Sequence, residues 1–587
     1  MFVEMWLIPS ATHMTVRQIE PGSQHTVVEL LRRAAEENAD VEAYVEPAHH
    51  QSSSVFPNER ECHTSDDRPR RSMTFAQWDR AADGLAALLR SYGVGRGDVV
   101  SMLLVSSLDY AVGYAAAVRL GAVVSGVNPR LGHRERESIF SRTMPKVSIV
   151  DSDLGLELPA NAGRVIDRAE AASSWTDPPP KSLPILHDDD PIAIVWTSGT
   201  TGAPKGAVFD HRCLEAASDG TGVLSRPGDR RLSPLPFAHV GYMAKVWDEI
   251  AHGVTTVITA SPWKAEETLC VLVAEHVTVA QGVPTQWALL VGLDDLDGAD
   301  LSSLRIAATG GAPMPASLVR EVRRKFRVPV VVRYASTETA ICTGTLPDDS
   351  DHVVSETVGR PVNGVEMSLV DDLDEPVATG EIGRVRIRSR AAMLGYWGPT
   401  KPVSSSPREH RGAGWSIDIE STRHVRSAEG WVTTGDLGMV DVDGNLHLSG
   451  RRGERYIRGG YNVYPLEVEE VLRAHPGVHR VAVVGVPDAV LGEIGVAFVV
   501  RRLDATGALS LEEIRDHCHK ALADYKAPDA MVLLDDLPLT AMMKVDKRVL
   551  AAMASTVKVG KVQRRRAPSV RASTGTREQL MAQKETQ

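Results

Sequence analysis

The sequence has few cysteines, and none of them has metal-binding spacing. Only five occur in 587 residues, and no two form a CxxC pair. This pattern excludes a zinc framework and predicts reduced thiols, as in a cytoplasmic protein. The tract His517-Cys518-His519 does not change that view, because three consecutive residues of one helix cannot all face the same ion.

Long apolar runs and an excess of positive charge are also missing. No run of about 18 apolar residues occurs, so we predict no integral-membrane helix. The first ten residues lack the basic flank and the length of a signal peptide. The net charge of −11 argues against nucleic acid as the main partner, because phosphate-binding surfaces are usually basic.

The length predicts more than one domain, since 587 residues exceed what a single core usually organises. Alternating apolar helices and strands between residues 74 and 283 predict parallel sheets covered by helices. A helix over 75–91 and strands over 98–104 and 191–195 are the clearest of these. The fold class is therefore α/β.

The predicted secondary structure changes after residue 360. Short strands and tight turns follow, including a predicted hairpin over 440–448 around an Asp-Gly turn. Beyond residue 450 we predict a smaller α+β unit with a helix over 466–475, strands over 478–486 and 494–500, and a helix after Ser510. We divide the chain into an extension (1–24), a large domain (25–450), a small domain (451–553) and a basic, disordered tail (554–587). Residues 51–71 and 401–428 are predicted surface insertions.

The most informative segment follows the predicted strand at 191–195. It combines hydroxyl side chains, glycines and a lysine, which are the donors and turn residues that a polyphosphate requires. Lys205 is followed by glycine and not by Ser or Thr, so the segment is not a Walker loop. A flexible linker fits poorly behind a strand. The residues concerned are Thr197, Ser198, Gly199, Thr200, Thr201, Gly202 and Lys205.

Other motifs add chemistry to this phosphate loop. A second strand ends in a glycine turn at Gly311, and ligands of α/β sheets lie beyond such carboxyl ends. Glu338, in the segment Tyr334–Glu338, is a natural Mg²⁺ ligand beside a polyphosphate, because Mg²⁺ is held by one or two carboxylates and phosphate oxygens. Asp436 follows another glycine turn, where its two oxygens can accept both hydroxyls of a ribose. Lys544 lies on a late apolar loop.

The order and spacing of these motifs over residues 25–553 resemble the adenylate-forming superfamily of acyl-CoA synthetases, adenylation domains and luciferases. The similarity is greatest to fatty-acid or medium-chain acyl-CoA ligases. The resemblance implies a large N-terminal domain of helix-covered sheets plus a distorted barrel, and a smaller mobile C-terminal domain. It also implies a two-step reaction, in which a carboxylate attacks ATP to give acyl-AMP and pyrophosphate, and a thiol then displaces AMP.

The resemblance assigns roles residue by residue. The phosphate loop from Thr197 to Lys205 would wrap the β- and γ-phosphates, and Thr337 would contact the α-phosphate. Glu338 would bind Mg²⁺, and Lys544 would bridge the substrate carboxylate and the α-phosphate, where a cation stabilises developing charge. Adenine and ribose would be bound by Tyr334, Gly311, Ala312, Pro313, Asp436 and Arg451.

Two further segments match family positions. His239 corresponds to the histidine at the mouth of the acyl pocket, and we expect it to act in catalysis as a substrate gate. Arg458, Gly459 and Gly460 resemble the loop that lines the pantetheine tunnel during thioester formation. The chain departs from the family pattern at Ala335, Gly453, Glu454 and Met543, none of which is a reacting group.

The predicted function is therefore an ATP-dependent acyl-CoA synthetase acting on a fatty, alicyclic or aryl acid, with ATP, Mg²⁺ and CoA. The residues expected to line the acyl pocket are mostly small or apolar and lie near His239–Met243, Gly282–Thr285, Ala307–Gly310 and Ala335. A stand-alone adenylation enzyme that loads a carrier protein is the alternative. A non-catalytic nucleotide-binding protein is disfavoured, because Glu338, Asp436 and Lys544 are all present. The oligomeric state stays open, with a homodimer among the alternatives.

Overall fold

We describe the chain from a computed structural model. It describes residues 26–48, 69–197, 204–259, 263–398, 415–451, 453–458, 461–488, 491–502, 509–540, 544–554 and 562–564. Four sheets are present in these residues. Two large sheets form the N-terminal part with the helices around them, a small antiparallel sheet follows, and the last sheet belongs to the C-terminal part.

The strands and helices are numbered in chain order. The strands of the N-terminal part are β1 (Glu42–Glu46), β2 (Arg71–Thr74), β3 (Val99–Leu103), β4 (Val123–Gly126), β5 (Val147–Val150), β6 (Arg164–Asp167), β7 (Pro191–Thr197), β8 (Lys205–Asp210), β9 (Arg230–Ser233), β10 (Thr255–Ile258), β11 (Val279–Gly282), β12 (Ile306–Gly310), β13 (Val330–Ser336), β14 (Ala340–Gly344), β15 (Arg360–Pro361), β16 (Val365–Val370), β17 (Gly383–Ser389), β18 (Gly395–Tyr396), β19 (Trp431–Val440) and β20 (Leu446–Arg451). Its helices are α1 (Val27–Glu37), α2 (Phe75–Ser91), α3 (Leu108–Arg119), α4 (His133–Thr143), α5 (Arg168–Ser173), α6 (His211–Asp219), α7 (Val240–Met243), α8 (Val246–Ala251), α9 (Ala265–Ala274), α10 (Pro284–Val291), α11 (Ala316–Phe326), α12 (Asp351–Glu356) and α13 (Ile419–Arg423). The C-terminal part contains β21 (Tyr456–Arg458), β22 (Tyr461–Val463), α14 (Pro465–Arg473), β23 (Val478–Asp488), β24 (Gly492–Arg501), α15 (Leu511–His519), β25 (Ala530–Leu534), α16 (Lys547–Ala554) and β26 (Val562–Arg564).

The two large sheets are mainly parallel, as the alternating pattern predicts. One has seven strands in the order β18-β8-β7-β4-β3-β5-β6, and the other has nine in the order β15-β14-β13-β12-β11-β9-β10-β1-β2. The main core cluster joins residues of α1, α2 and α3 to the facing strands of both sheets. These helices therefore lie between the sheets, and the carboxyl ends of β11, β12 and β13 meet at one edge, as expected for parallel neighbours.

The sequence pattern determines the helices between the sheets. In α2 the predicted apolar positions, Trp78, Ala82, Leu85 and Leu89, are all buried. Thr74 caps this helix, because its hydroxyl accepts from the backbone N–H of Gln77 while the Gln77 side chain accepts from the N–H of Thr74. The predicted bounds of 75–91 are confirmed.

The small sheet has the order β16-β17-β19-β20 and includes the predicted Asp-Gly hairpin. The hairpin is longer than expected, since its two strands run from Trp431 to Arg451. Where a distorted barrel was expected, these strands form an antiparallel sheet that is open in the part of the chain that the structure describes.

The C-terminal part forms its own sheet, in which β24 lies between β23 and β25. The predicted helix after Ser510 is present, and Ser510 and Glu513 form its capping box. The tail was expected to be disordered from residue 554, but Ala554 ends α16 and Val562–Arg564 pairs with β25. Val562–Arg564 thus lies at an edge of this sheet. Residues 565–587 lie outside the described ranges.

The predicted insertions are partly built into the fold. Arg71 begins β2, and Trp415 is buried and stacks on Trp397. Residues 51–68 and 401–414 lie outside the described ranges.

The cysteine prediction holds for three residues. Cys213, Cys342 and Cys518 are free and buried, whereas Cys270 is disulfide-bonded. No helix among the described residues is long and apolar enough to cross a bilayer.

A buried ion cluster ties the first three helices together. Arg119 of α3 is almost fully buried and donates to both Asp79 and Asp83 of α2. Arg32 of α1 donates to the same two carboxylates. Each acid thus has two basic partners, which offsets the cost of removing these charges from water.

We expect Arg119→Leu to lower the free energy of unfolding by about 3 to 5 kcal/mol, because two buried carboxylates lose their internal partner. Arg80→Leu is the matched control, since Arg80 is exposed on the same helix α2. Urea unfolding followed by fluorescence measures both. Equal effects of the two substitutions would contradict a stabilising role for the cluster.

Candidate active site

The ends of the phosphate loop lie on neighbouring strands. Thr197 ends β7, Lys205 begins β8, and the two residues are directly paired. Gly206 has no room for a side chain, since a Cβ there would lie 2.5 Å from Ile194 Cγ2. The loop residues Ser198, Gly199, Thr200, Thr201 and Gly202 lie outside the described ranges. The structure therefore shows where the loop starts and ends.

Tyr396 connects this loop to Glu338. Its hydroxyl donates to Glu338 Oε1 at 2.8 Å, and its ring lies 5.2 Å from Lys205 Nζ, a cation–π distance. The backbone N–H of Met393 donates to the carbonyl of Glu338 at 2.8 Å. Within the described residues, Glu338 Oε2 has no hydrogen-bond partner and remains free for a ligand.

A second group of side chains is centred on Asp436. Tyr334 Oη donates to Asp436 Oδ2 at 2.5 Å, and Arg451 Nε donates to Oδ1 at 2.9 Å. Asp436 and Arg451 are cross-strand partners in β19 and β20, so the hairpin register fixes this pair. Burial and the Asp436 charge raise the pKa of the Tyr334 phenol, and the Asp436 charge raises the pKa of Arg451.

Lys544 reaches the N-terminal part at the second glycine turn. Gly311 has φ +79°, and a Cβ there would lie 3.0 Å from Lys544 Cε and 3.3 Å from Nζ. Glycine therefore serves two needs, the left-handed backbone and the close approach of the lysine. Burial and the nearby Arg451 lower the pKa of Lys544, although the residue keeps contact with solvent.

The loop that carries Lys544 is closed by its own hydrogen bonds. The N–H of Thr540 donates to the carbonyl of Lys544 at 2.6 Å, and the N–H of Lys544 donates to Thr540 Oγ1 at 3.3 Å. Met543 lies outside the described ranges. This turn holds the lysine at the tip of the loop.

His239 lies at the start of α7 and pairs with Asn128. The distance from Asn128 Nδ2 to His239 Nε2 is 2.9 Å. Asn128 Oδ1 accepts from the N–H of Arg130, so the amide NH₂ faces the ring and donates to Nε2. Burial and the charge of Lys544 lower the pKa of His239 to about 4. His239 is therefore neutral, with its proton on Nδ1.

The structure does not bring every predicted residue into this cleft. Arg458 is bound to Asp529 in the C-terminal part, with Nη2 to Oδ1 at 2.7 Å and Nε to Oδ2 at 2.9 Å. Gly459 and Gly460 lie outside the described ranges. Thr337 lies in the turn between β13 and β14, and Ala312 and Pro313 are exposed beside Gly311.

Sequence reasoning missed Tyr396 and Asn128. Tyr396 lies in a two-residue strand before a polar insertion, and only the pairing of β18 with β8 brings it to the loop. Asn128 follows a buried strand, β4, and a polar residue just beyond such a strand is a signal that could have identified it.

Comparison with known proteins identifies the family. Residues 33–397 match the family described as AMP-binding enzyme, and residues 467–544 match the AMP-binding enzyme C-terminal domain. This chain is an AMP-binding enzyme. The predicted membership of the adenylate-forming superfamily is confirmed, and so is the prediction of an AMP-forming acid–thiol ligase.

Similar proteins cover nearly the whole AMP-binding enzyme. The 2-succinylbenzoate–CoA ligase of Bacillus licheniformis is 30% identical over 81% of this chain and 94% of its own length. The long-chain-fatty-acid–CoA ligase FadD13 of Mycobacterium tuberculosis is 30% identical over 89% and 97%. The crystal structure of ATP-bound MatB from Rhodopseudomonas palustris has a TM-score of 0.76 at 25% identity, over 91% and 99%. The predicted fold of a large N-terminal and a smaller C-terminal domain is confirmed.

The low pKa of His239 predicts a pH-dependent contribution to stability. The unfolded chain takes up a proton near pH 6.5 and the folded chain only near pH 4, so this contribution is full above 6.5 and lost as the pH falls toward 4. His239→Gln should therefore lose less stability than the unsubstituted enzyme between about pH 7 and about pH 5. Urea unfolding at both values measures the difference.

His352→Gln, at an exposed position, is the control and should follow the unsubstituted enzyme. If all three proteins lose stability equally, His239 is not held neutral.

Proposed function

We propose that this AMP-binding enzyme activates a carboxylic acid with ATP to form acyl-AMP and pyrophosphate, and then transfers the acyl group to CoA. The position of Lys544 carries the proposal. This lysine, from the C-terminal part, lies against Gly311 and within electrostatic range of Asp436, Arg451 and His239. A cation thereby lies near both the nucleoside-type cluster and His239.

The nucleoside of ATP would bind at the Tyr334–Asp436 cluster. The Tyr334 ring would stack on adenine beside Gly311, Ala312 and Pro313. The Asp436 carboxylate would accept the ribose hydroxyls, with Arg451 as a second contact. Tyr334 and Arg451 each donate a hydrogen bond to this carboxylate, which fixes its orientation.

The phosphates would lie between the loop and β13. Thr197, the loop residues and Lys205 would bind the β- and γ-phosphates, and Thr337 the α-phosphate. Glu338 fits Mg²⁺ because one carboxylate oxygen is free in the described structure while Tyr396 orients the other. Bound Mg²⁺ would neutralise charge on the phosphate oxygens.

Lys544 would act in the first step by electrostatics. Its ammonium would contact both the attacking carboxylate and the α-phosphate, where negative charge concentrates in the transition state. The Thr540–Lys544 turn holds the side chain in position, which reduces the reorganisation needed during the reaction. Neutral His239 adds no second positive charge to the pocket mouth.

The second step needs a different arrangement of the C-terminal part. Arg458, Gly459 and Gly460 would line the path of the pantetheine thiol, yet Arg458 is bound to Asp529 away from Lys544. Gly453 lies between β20 and β21, and glycine permits a wide range of backbone angles there. We infer that rotation about this segment replaces Lys544 with the Arg458 loop.

The proposal also covers the substrate acid and the thiol that accepts the acyl group. The similar ligases named above act on acids as different as a succinylbenzoate and a long-chain fatty acid, so we propose a fatty, alicyclic or aryl skeleton. Free CoA is the proposed acceptor, and a carrier protein is the alternative. We also propose the cytoplasm as the location: the free thiols of Cys213, Cys342 and Cys518 are typical of it, whereas the disulfide of Cys270 is not.

A screen of carboxylic acids for pyrophosphate release, run with and without CoA, tests this function. We expect CoA-dependent AMP formation with at least one acid. Acylation of a carrier protein without turnover on free CoA would favour the alternative acceptor. Absence of pyrophosphate release with every acid would contradict the proposed function.

We expect Lys544→Ala to lower the rate of acyl-AMP formation by at least about 100-fold, because the transition state loses a preorganised cation. ATP affinity should change little, since Tyr334, Asp436 and Arg451 remain. Pyrophosphate release and equilibrium ATP binding measure the two effects.

Lys520→Ala, at an exposed position after α15, is the matched control and should leave both values unchanged. Full adenylation by Lys544→Ala would show that Lys544 does not carry the first step.

A further inference from the structure

One face of the nine-stranded sheet leads from Lys544 into the interior. Gly310 precedes the Gly311 turn and pairs with Arg333, and two residues earlier in β12 Ala308 pairs with Gln281. Side chains alternate along strands, so these residues share one face. The opposite face, including Ala307, packs against the outer helices.

Lys245 contributes a cation to this face. It lies between α7 and α8, shortly after His239, and its Nζ donates to Gln281 Oε1 at 3.3 Å. No carboxylate lies within salt-bridge distance of this ammonium among the described residues. Burial lowers the pKa of Lys245 to about 8, which leaves it mostly charged at neutral pH.

Arg333 contributes a second cation. Its Nη1 donates to the backbone carbonyls of Val332 and Thr345, each at 2.9 Å, and lies where a Cβ of Gly344 would be. Its Nε is buried without a partner, and no carboxylate pairs with the guanidinium in the described part of the chain. Burial lowers the pKa of Arg333 to about 10.

Two nearby acids, Asp248 and Glu249, lie close to Arg231. Asp248 accepts from Arg231 at 2.9 Å and from Thr221 and Ser225 at 2.8 Å. Glu249 lies 3.7 Å from Arg231, and burial raises its pKa to about 7. Both acids also act on Lys245 electrostatically, but among the described residues neither lies within salt-bridge distance of Lys245 or Arg333.

Two half-buried cations with no carboxylate within salt-bridge distance among the described residues favour a ligand that supplies negative charge. Gln281 adds a third donor. Its Nε2 is buried and has no partner in the described structure, while its Oε1 accepts from Lys245. The charges lie on the sheet face next to Lys544, where the acid must enter. We call Lys245, Arg333 and Gln281 the cationic wall. An apolar lining was expected from the sequence instead.

We propose that the acid activated by this enzyme carries a second carboxylate at its far end, and that Lys245, Arg333 and the Gln281 amide bind that group. The inference rests on the proposed function and adds to it. The skeleton stays fatty, alicyclic or aryl, whereas the reacting carboxylate lies at Lys544 and the second one at the cationic wall. Lys245 and Arg333 are then specificity-determining residues.

The test compares matched acids that differ only in the second carboxylate. Suitable pairs are hexanoate and hexanedioate, octanoate and octanedioate, and phenylpropanoate and carboxyphenylpropanoate. We expect kcat/KM for pyrophosphate release to favour the diacid by at least about 100-fold in the best pair, because a monoacid leaves the buried donors unpaired. Equal or better turnover of the monoacid in every pair would overturn the proposal.

Substitutions in the cationic wall test whether it causes the preference for diacids. Lys245→Met and Arg333→Met should each lower the diacid-to-monoacid ratio at least about tenfold, through loss of diacid turnover alone. Lys181→Met, at an exposed position, should leave the ratio unchanged. An equal loss on both acids of a pair would contradict a role in specificity.

A binding measurement separates specificity from folding and from chemistry. Calorimetry with acyl-sulfamate analogues of adenosine, with and without a distal carboxylate, needs no turnover. ATP binding reports whether each variant is folded, and Lys245→Gln removes the charge with a smaller change of shape. Loss of affinity for the diacid analogue with ATP binding intact supports the wall, and unchanged affinity for it overturns the proposal. Failure of all acids to release pyrophosphate would instead refute the proposed function.

Discussion

The site depends on the close approach of Lys544 to the backbone at Gly311. A side chain from the C-terminal part can enter the cleft only because this turn presents no Cβ and adopts a left-handed conformation. The other polar groups, Tyr334, Asp436 and Glu338, are already in place on the N-terminal part. The conformation of the Gly311 turn therefore determines whether Lys544 can join the polar groups of the N-terminal part.

Several polar groups of the described active site are held in place by neighbouring side chains. Asp436 is held by two donors and Glu338 by one, while His239 is kept neutral by its surroundings. Fixed donors and charges lower the reorganisation required during the reaction. The cationic wall differs from these groups, because no carboxylate of the described chain lies within salt-bridge distance of Lys245 or Arg333.

The sequence predicts local features of this enzyme well. Helix α2, its capping box, the Asp-Gly hairpin and the strand before the phosphate loop follow from periodicity and turn chemistry over a few residues. The order of the motifs was enough to assign the superfamily. These features depend on interactions between near neighbours in the chain.

Contacts between distant segments could not be predicted in this way. Tyr396 reaches Glu338 only through the pairing of β18 with β8, and Asn128 reaches His239 from another strand end. The sequence also predicted an apolar pocket, because the segments expected to line it are mostly small or apolar, and Lys245 and Arg333 lie outside those segments. The register of β11, β12 and β13 places Gln281 and Arg333 on one face, and the hydrogen bond to Gln281 brings Lys245 to it.

Arg451 ends β20, and the next strand, β21, already belongs to the sheet of the C-terminal part. The residue that binds Asp436 is therefore next to the segment about which the two parts would turn. A rotation there alters the backbone on which the Arg451 side chain depends, so each orientation has its own affinity for the nucleotide. By linkage, the nucleotide in turn biases the orientation by the same free energy. The departure of AMP and the return of Lys544 are then two sides of a single equilibrium.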